Sequence, residues 1–308
     1  GIEALAGADD ATNYAPHSPE LTLEYPESVA VPELPQRYVC VTINNADDEQ
    51  AQNLAELLEY TYQEHGLSTV FLSHMGNPAQ AAVAGERGDY EVHARIAEQM
   101  HTPATLVPIT PADAAVRIPQ GAALTLTSRY HPAVFGLAVG VPVVALVPDA
   151  FTEMRLTGVM KHYGVGEFIT PLEMLGTAIP SLLLDAAVQL NDPELGATFT
   201  ELQAPRRAEV LGALAEWRQY VWERISGNDE AREPQNLPKV HQVEALNEPL
   251  RGVNRAARRL LRRTSLEAGN EWALSDRMHS WEDARRHEIE GKDREIAGLR
   301  ERAEAAER

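Results

Sequence analysis

Residues 125–132 read TLTSRYHP and set a hydroxyl, a permanent cation and an imidazole close together, at Ser128, Arg129 and His131. Such a group suits an anion. A guanidinium grips a carboxylate or phosphate through a two-pronged fork. Pro132 fits the first turn of a helix, where its missing N–H costs nothing. The unpaired N–H groups of that turn would then point back at Ser128–His131 with partial positive charge. A helix N-terminus disfavours imidazolium, whereas a bound anion favours it, so His131 could become a better proton donor as an anionic ligand arrives. The same residues also fit a plainer arrangement, a histidine capping the backbone beside an arginine salt bridge, and residue types alone leave both open.

Smaller candidates share the pattern of a polar residue just after an apolar run. His74, in SHMGN, either faces the same crevice or is an ordinary loop histidine. Asn44 and Asn45 could hydrogen-bond a sugar, although a turn is the favoured reading. His162 sits where a helix C-terminus would favour it and reads as structural. Cys40, the single cysteine, lies in the apolar run YVCVTI and reads as a buried strand thiol with no disulfide partner.

Elements able to position these groups follow from the alternation of apolar runs. Strands are predicted at 38–44, 68–74, 104–110, 122–128 and 141–147, and after EFITP at 167–171 the chain becomes helical. Between them, helical spacing predicts helices at 49–66, 89–100, 111–118, 132–139 and 153–164. The strands are almost continuously apolar, as strands covered on both faces are. This alternation predicts an α/β fold, a Rossmann-like parallel sheet flanked by helices, with right-handed crossovers. Strand 122–128 would deliver Ser128–His131 to the carboxyl edge of the sheet, where open α/β sheets bind ligands. Helices are also expected at 172–190 and from 193 to about 225.

Composition narrows the function classes. Of 308 residues, 46 are acidic and 27 basic, giving a formal net charge of −19. That argues against nucleic acid as a partner, because phosphate backbones need clustered cations. One local cationic pocket on an acidic surface remains compatible with a small anionic substrate. The longest apolar run, Ala133–Val147, is interrupted by Gly136, Gly140 and Pro142 and falls short of the roughly 20 residues of a membrane span. The expected location is cytoplasmic.

Four regions are expected. Residues 1–36, rich in proline and acid, read as the trailing segment of a missing amino-terminal lobe. Residues 37–225 form the Rossmann-like lobe, 226–249 a polar linker, and 250–308 an Arg-rich, charged helical tail. Between 251 and 263 stand six arginines and no acidic residue. That cluster could rest peripherally on an anionic membrane, or be a solvated or lobe-packing helix. The tail could also mediate self-association, with Trp272 and Trp281 as anchors.

With its flanking sequence, the opening motif resembles the polysaccharide pyruvyl transferase family, over about residues 37–190. The pattern is a strand ending S-R-x-H (Ser128, Arg129, His131), an apolar helix, GVPV (Gly140–Val143), a strand, and then Asp149, Arg155 and Gly158. The resemblance implies a carboxyl-terminal lobe similar to that of GT-B glycosyltransferases. It also implies transfer of a pyruvyl group from phosphoenolpyruvate onto two hydroxyls of a saccharide or lipid-linked saccharide, forming a ketal and releasing phosphate. It makes His131 the acid or the stabiliser of an oxocarbenium-like state. Arg129, with Ser128 and His74 nearby, would bind the donor, and Arg155 would be a second anion contact where many members carry lysine. No metal and no cofactor beyond the donor substrate is expected. The rival readings are a GT-B glycosyltransferase using a nucleotide sugar and a non-catalytic lobe serving assembly.

Overall fold

The computed structural model describes residues 32–75, 88–109, 112–191, 198–228 and 248–265. The chain divides into two compact units, Gly1–Arg259 and Leu260–Arg308. All contacts described below lie within the first. The predicted trailing segment, apart from residues 32–36, and the tail beyond 265, including Trp272 and Trp281, lie outside the described residues.

Six strands form one parallel sheet: β1 (Tyr38–Thr42), β2 (Ser68–Leu72), β3 (Ala104–Val107), β4 (Leu124–Thr127), β5 (Val143–Val147) and β6 (Ile169–Pro171). Their order is β3-β2-β1-β4-β5-β6, every neighbouring pair parallel. This is the Rossmann-like sheet expected from the alternation of apolar runs. The chain winds outward from β1 in one direction and from β4 in the other. A crevice therefore opens between the carboxyl ends of these two central strands. Their register brings Thr42 opposite Thr127, so the residues that follow each strand emerge side by side.

The connecting helices are α1 (Asp48–His65), α2 (Asp89–Ala97), α3 (Ala112–Gly121), α4 (Tyr130–Val139) and α5 (Ala150–His162). Beyond β6 come α6 (Ala178–Gln189), α7 (Phe199–Ile225) and α8 (Glu248–Ser265). α1 packs against α2 and α6, and α4 lies between α3 and α5. Right-handed crossovers from a centre-out strand order put these two rows on opposite faces of the sheet. The strands are accordingly buried on both sides: Val39, Cys40, Val41, Val144, Ala145 and Leu146 expose no more than 1% of their surface. Cys40 is sealed in this core, and burial raises its thiol pKa.

Two helices differ from the sequence expectation. The predicted 172–190 helix is a short 3-10 turn (Leu172–Met174), then Gly176 at φ +44°, then α6. Thr177 caps α6 by accepting the Ile179 N–H at 3.3 Å, so a breaker and a capping residue side by side mark a new start. α4 begins at Tyr130 with Arg129 as its N-cap residue, so His131 belongs to the helix and does not precede it. Pro132 still lies in the first turn, as expected.

α4 sits close to the sheet at Gly136 and close to α7 at Gly140. A Cβ on Gly136 would come within 3.2 Å of both Thr125 Oγ1 and Val143 Cγ2. Gly140 ends the helix in the left-handed conformation, φ +86°, with its Cα against the backbone of Thr200 on α7.

α8 holds part of the arginine cluster against the lobe. Arg258 donates to the buried Glu153 carboxylate on α5, to Thr157 Oγ1 at 2.8 Å and to the Gly166 carbonyl at 3.0 Å. Asn254 Nδ2 donates to the carbonyls of Glu167 and Ile169 at 2.9 and 2.8 Å, covering the outer strand β6. Arg251 lies 2.9 Å from Glu167. Through Arg259 the helix packs on the lobe, whereas the expected linker residues 229–247 lie outside the described residues. No helix among the described residues is long and apolar enough to cross a membrane.

Candidate functional site

The site is built where β1 and β4 diverge. Ser128, 2% exposed, follows β4 and sends its hydroxyl to Asn44 Oδ1 at 2.6 Å. The same oxygen accepts the Asn44 N–H at 3.0 Å. Beneath it the Ser128 N–H donates to the Thr42 carbonyl at 2.9 Å. Thr127 Oγ1 accepts the Arg129 N–H at 2.9 Å. Ser128 is thus a latch across the crevice floor, and Asn44 spends its carbonyl oxygen on that latch.

Arg129 is paired. Its Nε donates to Asp89 Oδ2 at 2.9 Å and its Nη2 to Oδ1 at 2.5 Å, a fork on a carboxylate that is itself 0% exposed. Asp89 is the first residue of α2, and its Oδ2 also accepts the N–H groups of His74 and Met75, each at 3.0 Å. One carboxylate therefore joins three pieces of the crevice rim: the turn after β2, the start of α2 and the start of α4. The salt bridge of the plainer reading is present, on a partner forty residues upstream. An anion could take the same edge of the guanidinium only by displacing Asp89.

One turn along α2, His93 performs a similar tie. Its Nε2 accepts the Ile43 N–H at 3.0 Å, which puts the ring proton on Nδ1, 3.4 Å from Ser73 Oγ. The ring stacks on Phe71, centroids 5.1 Å apart. Burial and the positive charge of Arg129 push the His93 pKa down to about 4, Asp89 opposing them, so the ring is neutral at neutral pH.

The other histidines form a ladder with α4. His74 stacks on Phe135 at 6.5 Å and Phe135 on His131 at 6.0 Å, interplanar angles 28° and 25°. His74 is half-buried, and burial carries its pKa down to about 4. Its Nε2 is shielded from solvent and has no hydrogen-bond partner among the described residues. His131, by contrast, is exposed at the outer end of the ladder. Tyr130 meets His131 edge-on at 5.6 Å, and the Arg155 guanidinium lies over the Tyr130 and Phe151 rings at 4.9 and 5.6 Å.

The two helix starts beside this ladder differ. α5 is capped by its own Asp149, which accepts the Thr152 N–H at 2.7 Å. α4 has no side-chain cap and no acidic residue in its first turn. The uncapped helix end, exposed His131 and exposed Arg155 thus lie together, with neutral His74 behind them. The fold brings Ser128, Arg129, His131, His74 and Arg155 to one rim, Ser128 and Arg129 already committed to protein partners. His162 is remote from it, its carbonyl accepting Arg206 Nε at 2.5 Å, and burial with Arg206 lowers its pKa. Sequence reasoning missed Asp89 and His93. The spacing of 89 and 93 on one helix face is a signal only once α2 is known to border the crevice.

Among the described residues, no group of three or more His, Cys, Asp or Glu side chains is placed to hold a metal ion. No family model matches the chain, and no curated protein matches it. Among solved structures, it is similar to a Listeria monocytogenes protein described as a UDP-N-acetylglucosamine 2-epimerase, at 16% identity and a TM-score of 0.37. That match covers 66% of this chain and 48% of the other, so the chain spans about half the length of the protein it resembles.

Proposed function

We propose that this chain is the donor-binding lobe of a pyruvyl transferase, acting on phosphoenolpyruvate and a saccharide diol. The observation that carries the reading is the uncapped N-terminus of α4 at the sheet's switch point, with exposed His131 and Arg155 beside it. A helix end and a guanidinium suit a doubly anionic donor, and an exposed imidazole suits proton transfer.

In this reading the donor's phosphate or carboxylate lies against the first turn of α4 and Arg155. His131 gives a proton to the methylene carbon, making it a methyl group, while the neighbouring carbon gains oxocarbenium character and accepts the first hydroxyl oxygen. The second hydroxyl displaces phosphate, whose C–O bond breaks as the second ketal C–O bond forms, and the hydroxyl protons pass to base and phosphate. Fixed N–H groups and a guanidinium aimed at the departing phosphate lower the barrier without reorganising. Ser128 acts through Asn44, holding the β1 and β4 loops in register.

The test is calorimetric titration of the chain with phosphoenolpyruvate, UDP-sugar and inorganic phosphate, paired with phosphate release in the presence of a panel of saccharide acceptors. Saturable phosphoenolpyruvate binding, with phosphate release lost in His131→Ala, supports the reading. Saturable UDP-sugar binding with phosphoenolpyruvate ignored sinks it in favour of glycosyl transfer.

A further inference from the structure

We propose that Asp89 is a positioning residue that holds Arg129 side-on, so that the arginine takes an anion through its other, end-on edge without leaving the carboxylate. This rests on the proposed anion site and adds a group and a geometry to it. A guanidinium carries five N–H bonds in one plane. Asp89 takes one from Nε and one from Nη2. Of the remaining three, one on Nη1 and the second on Nη2 form the end-on fork, and the Arg129 side chain is 25% exposed while that of Asp89 is 1% exposed. The carboxylate therefore lies inside, while a quarter of the arginine side chain reaches solvent.

The physical case for retention over exchange lies in what Asp89 would lose. If an incoming anion took the side-on edge, Asp89 would remain buried with only the amide N–H groups of His74 and Met75. Removing the cation from a buried carboxylate leaves its charge uncompensated, a strongly destabilising change, and a small exposed anion does not recover that. With Asp89 retained, Arg129 is already immobile, so binding costs little side-chain entropy. Arg129 is also the residue on which α4 starts, so the same carboxylate fixes the helix end that presents His131.

The experiment follows the Arg129 Nε–H resonance in the full chain by nitrogen-15 NMR, assigned by its loss in Arg129→Lys, during titration with inorganic phosphate. The proposal expects an Nε–H exchanging roughly tenfold or more slowly than those of exposed arginines, as a charge-assisted hydrogen bond implies. That protection persists at saturating phosphate, while Arg129→Lys weakens phosphate binding roughly tenfold, the loss of about one such bond. Asp89→Asn keeps an oxygen for the two amides and removes the charge, and it should abolish the protection. Collapse of the wild-type protection as phosphate binds would show exchange and overturn the proposal. So would phosphate binding indifferent to Arg129→Lys, or absent. Should Asp89→Asn fail to fold, the wild-type titration still decides. Turnover of phosphoenolpyruvate is not part of the readout, so a failure of pyruvyl transfer leaves this result standing and is recognised separately.

Discussion

Arg258 on α8 pairs with Glu153 on α5: the acidic residue is 2% exposed, and the guanidinium that meets it also satisfies Thr157 Oγ1 and the Gly166 carbonyl. A buried pair of this kind is weak evidence of net stabilisation, but breaking it from one side strands a charge. Arg258→Met should therefore cost about 3–5 kcal/mol, whereas Arg258→Met with Glu153→Met should recover most of that loss. Urea denaturation of the four proteins of this cycle measures it. A double variant as unstable as the single one would mean that α8 docks for reasons other than this pair.

A second expectation concerns acid. His74 and His93 are both held near pKa 4 in the fold, against 6.5 for the free side chain. Between pH 6.5 and about 4 the unfolded chain binds more protons than the native one, so stability falls as pH falls through that window. The slope is at most about 1.4 kcal/mol per pH unit for each ring, flattening below the folded pKa. Asp89 faces both rings and opposes the shift, while Arg129 reinforces it. Denaturation midpoints at pH 7, 6, 5 and 4 should fall steadily, with a shallower fall in His93→Gln. A flat profile across the window would place both rings in water.

The latch at the crevice floor gives a local prediction. Ser128→Ala removes the acceptor of the Asn44 N–H and the donor to Asn44 Oδ1 together. Leaving part-buried polar groups unpaired costs about 1–3 kcal/mol. Amide hydrogen exchange should quicken at Asn44 and Ile43 before any distant strand responds, because the loss is confined to the end of β1.

Much of the scaffold was readable because period and burial agree. YVCVT, STVFL, LTLT and VVALV are short and apolar, and each became a strand buried on both faces. The turn after β4 was readable as a rim feature because S-R-x-H ends such a strand. What stayed hidden was pairing at a distance. Nothing near Arg129 names Asp89, whose place beside it depends on how α2 returns to the sheet. On α8 the choice between membrane contact and lobe packing stayed open for a different reason. Arg251, Asn254 and Arg258 recur at intervals of three and four, a helical face, but that face is polar and meets Glu167, Glu153 and open carbonyls of the β6 region. A search for apolar stripes passes over such a helix.

Gly140 and Gly66 separate backbone strain from crowding. Both end helices at positive φ, +86° and +63°. At Gly66 an added Cβ meets nothing nearer than 4.0 Å, so Gly66→Ala should cost about 1–2 kcal/mol from the left-handed backbone alone. At Gly140 it would stand 2.7 Å from the Thr200 Cα, a backbone atom that cannot step aside. Gly140→Ala adds overpacking of about 1–3 kcal/mol to the same strain. Thermal or urea denaturation should rank it clearly the worse, and equal losses would mean that α7 yields to the new methyl group.

Arg155 tests the anion reading most directly, because it can be changed without disturbing the core. It is exposed, and its guanidinium rests on Tyr130 and Phe151, a contact worth about 0.5–1 kcal/mol at such sites. Arg155→Ala should therefore shift stability by under about 1 kcal/mol. Phosphate or phosphoenolpyruvate should bind roughly tenfold more weakly, as the loss of one charge-assisted hydrogen bond implies. Arg155→Lys keeps the charge and loses the planar fork, so it should fall between the two. Calorimetric titration beside a denaturation curve separates affinity from folding. If both variants bind as the wild type does, the anion does not reach α5, and the site contracts to His131 and the first turn of α4.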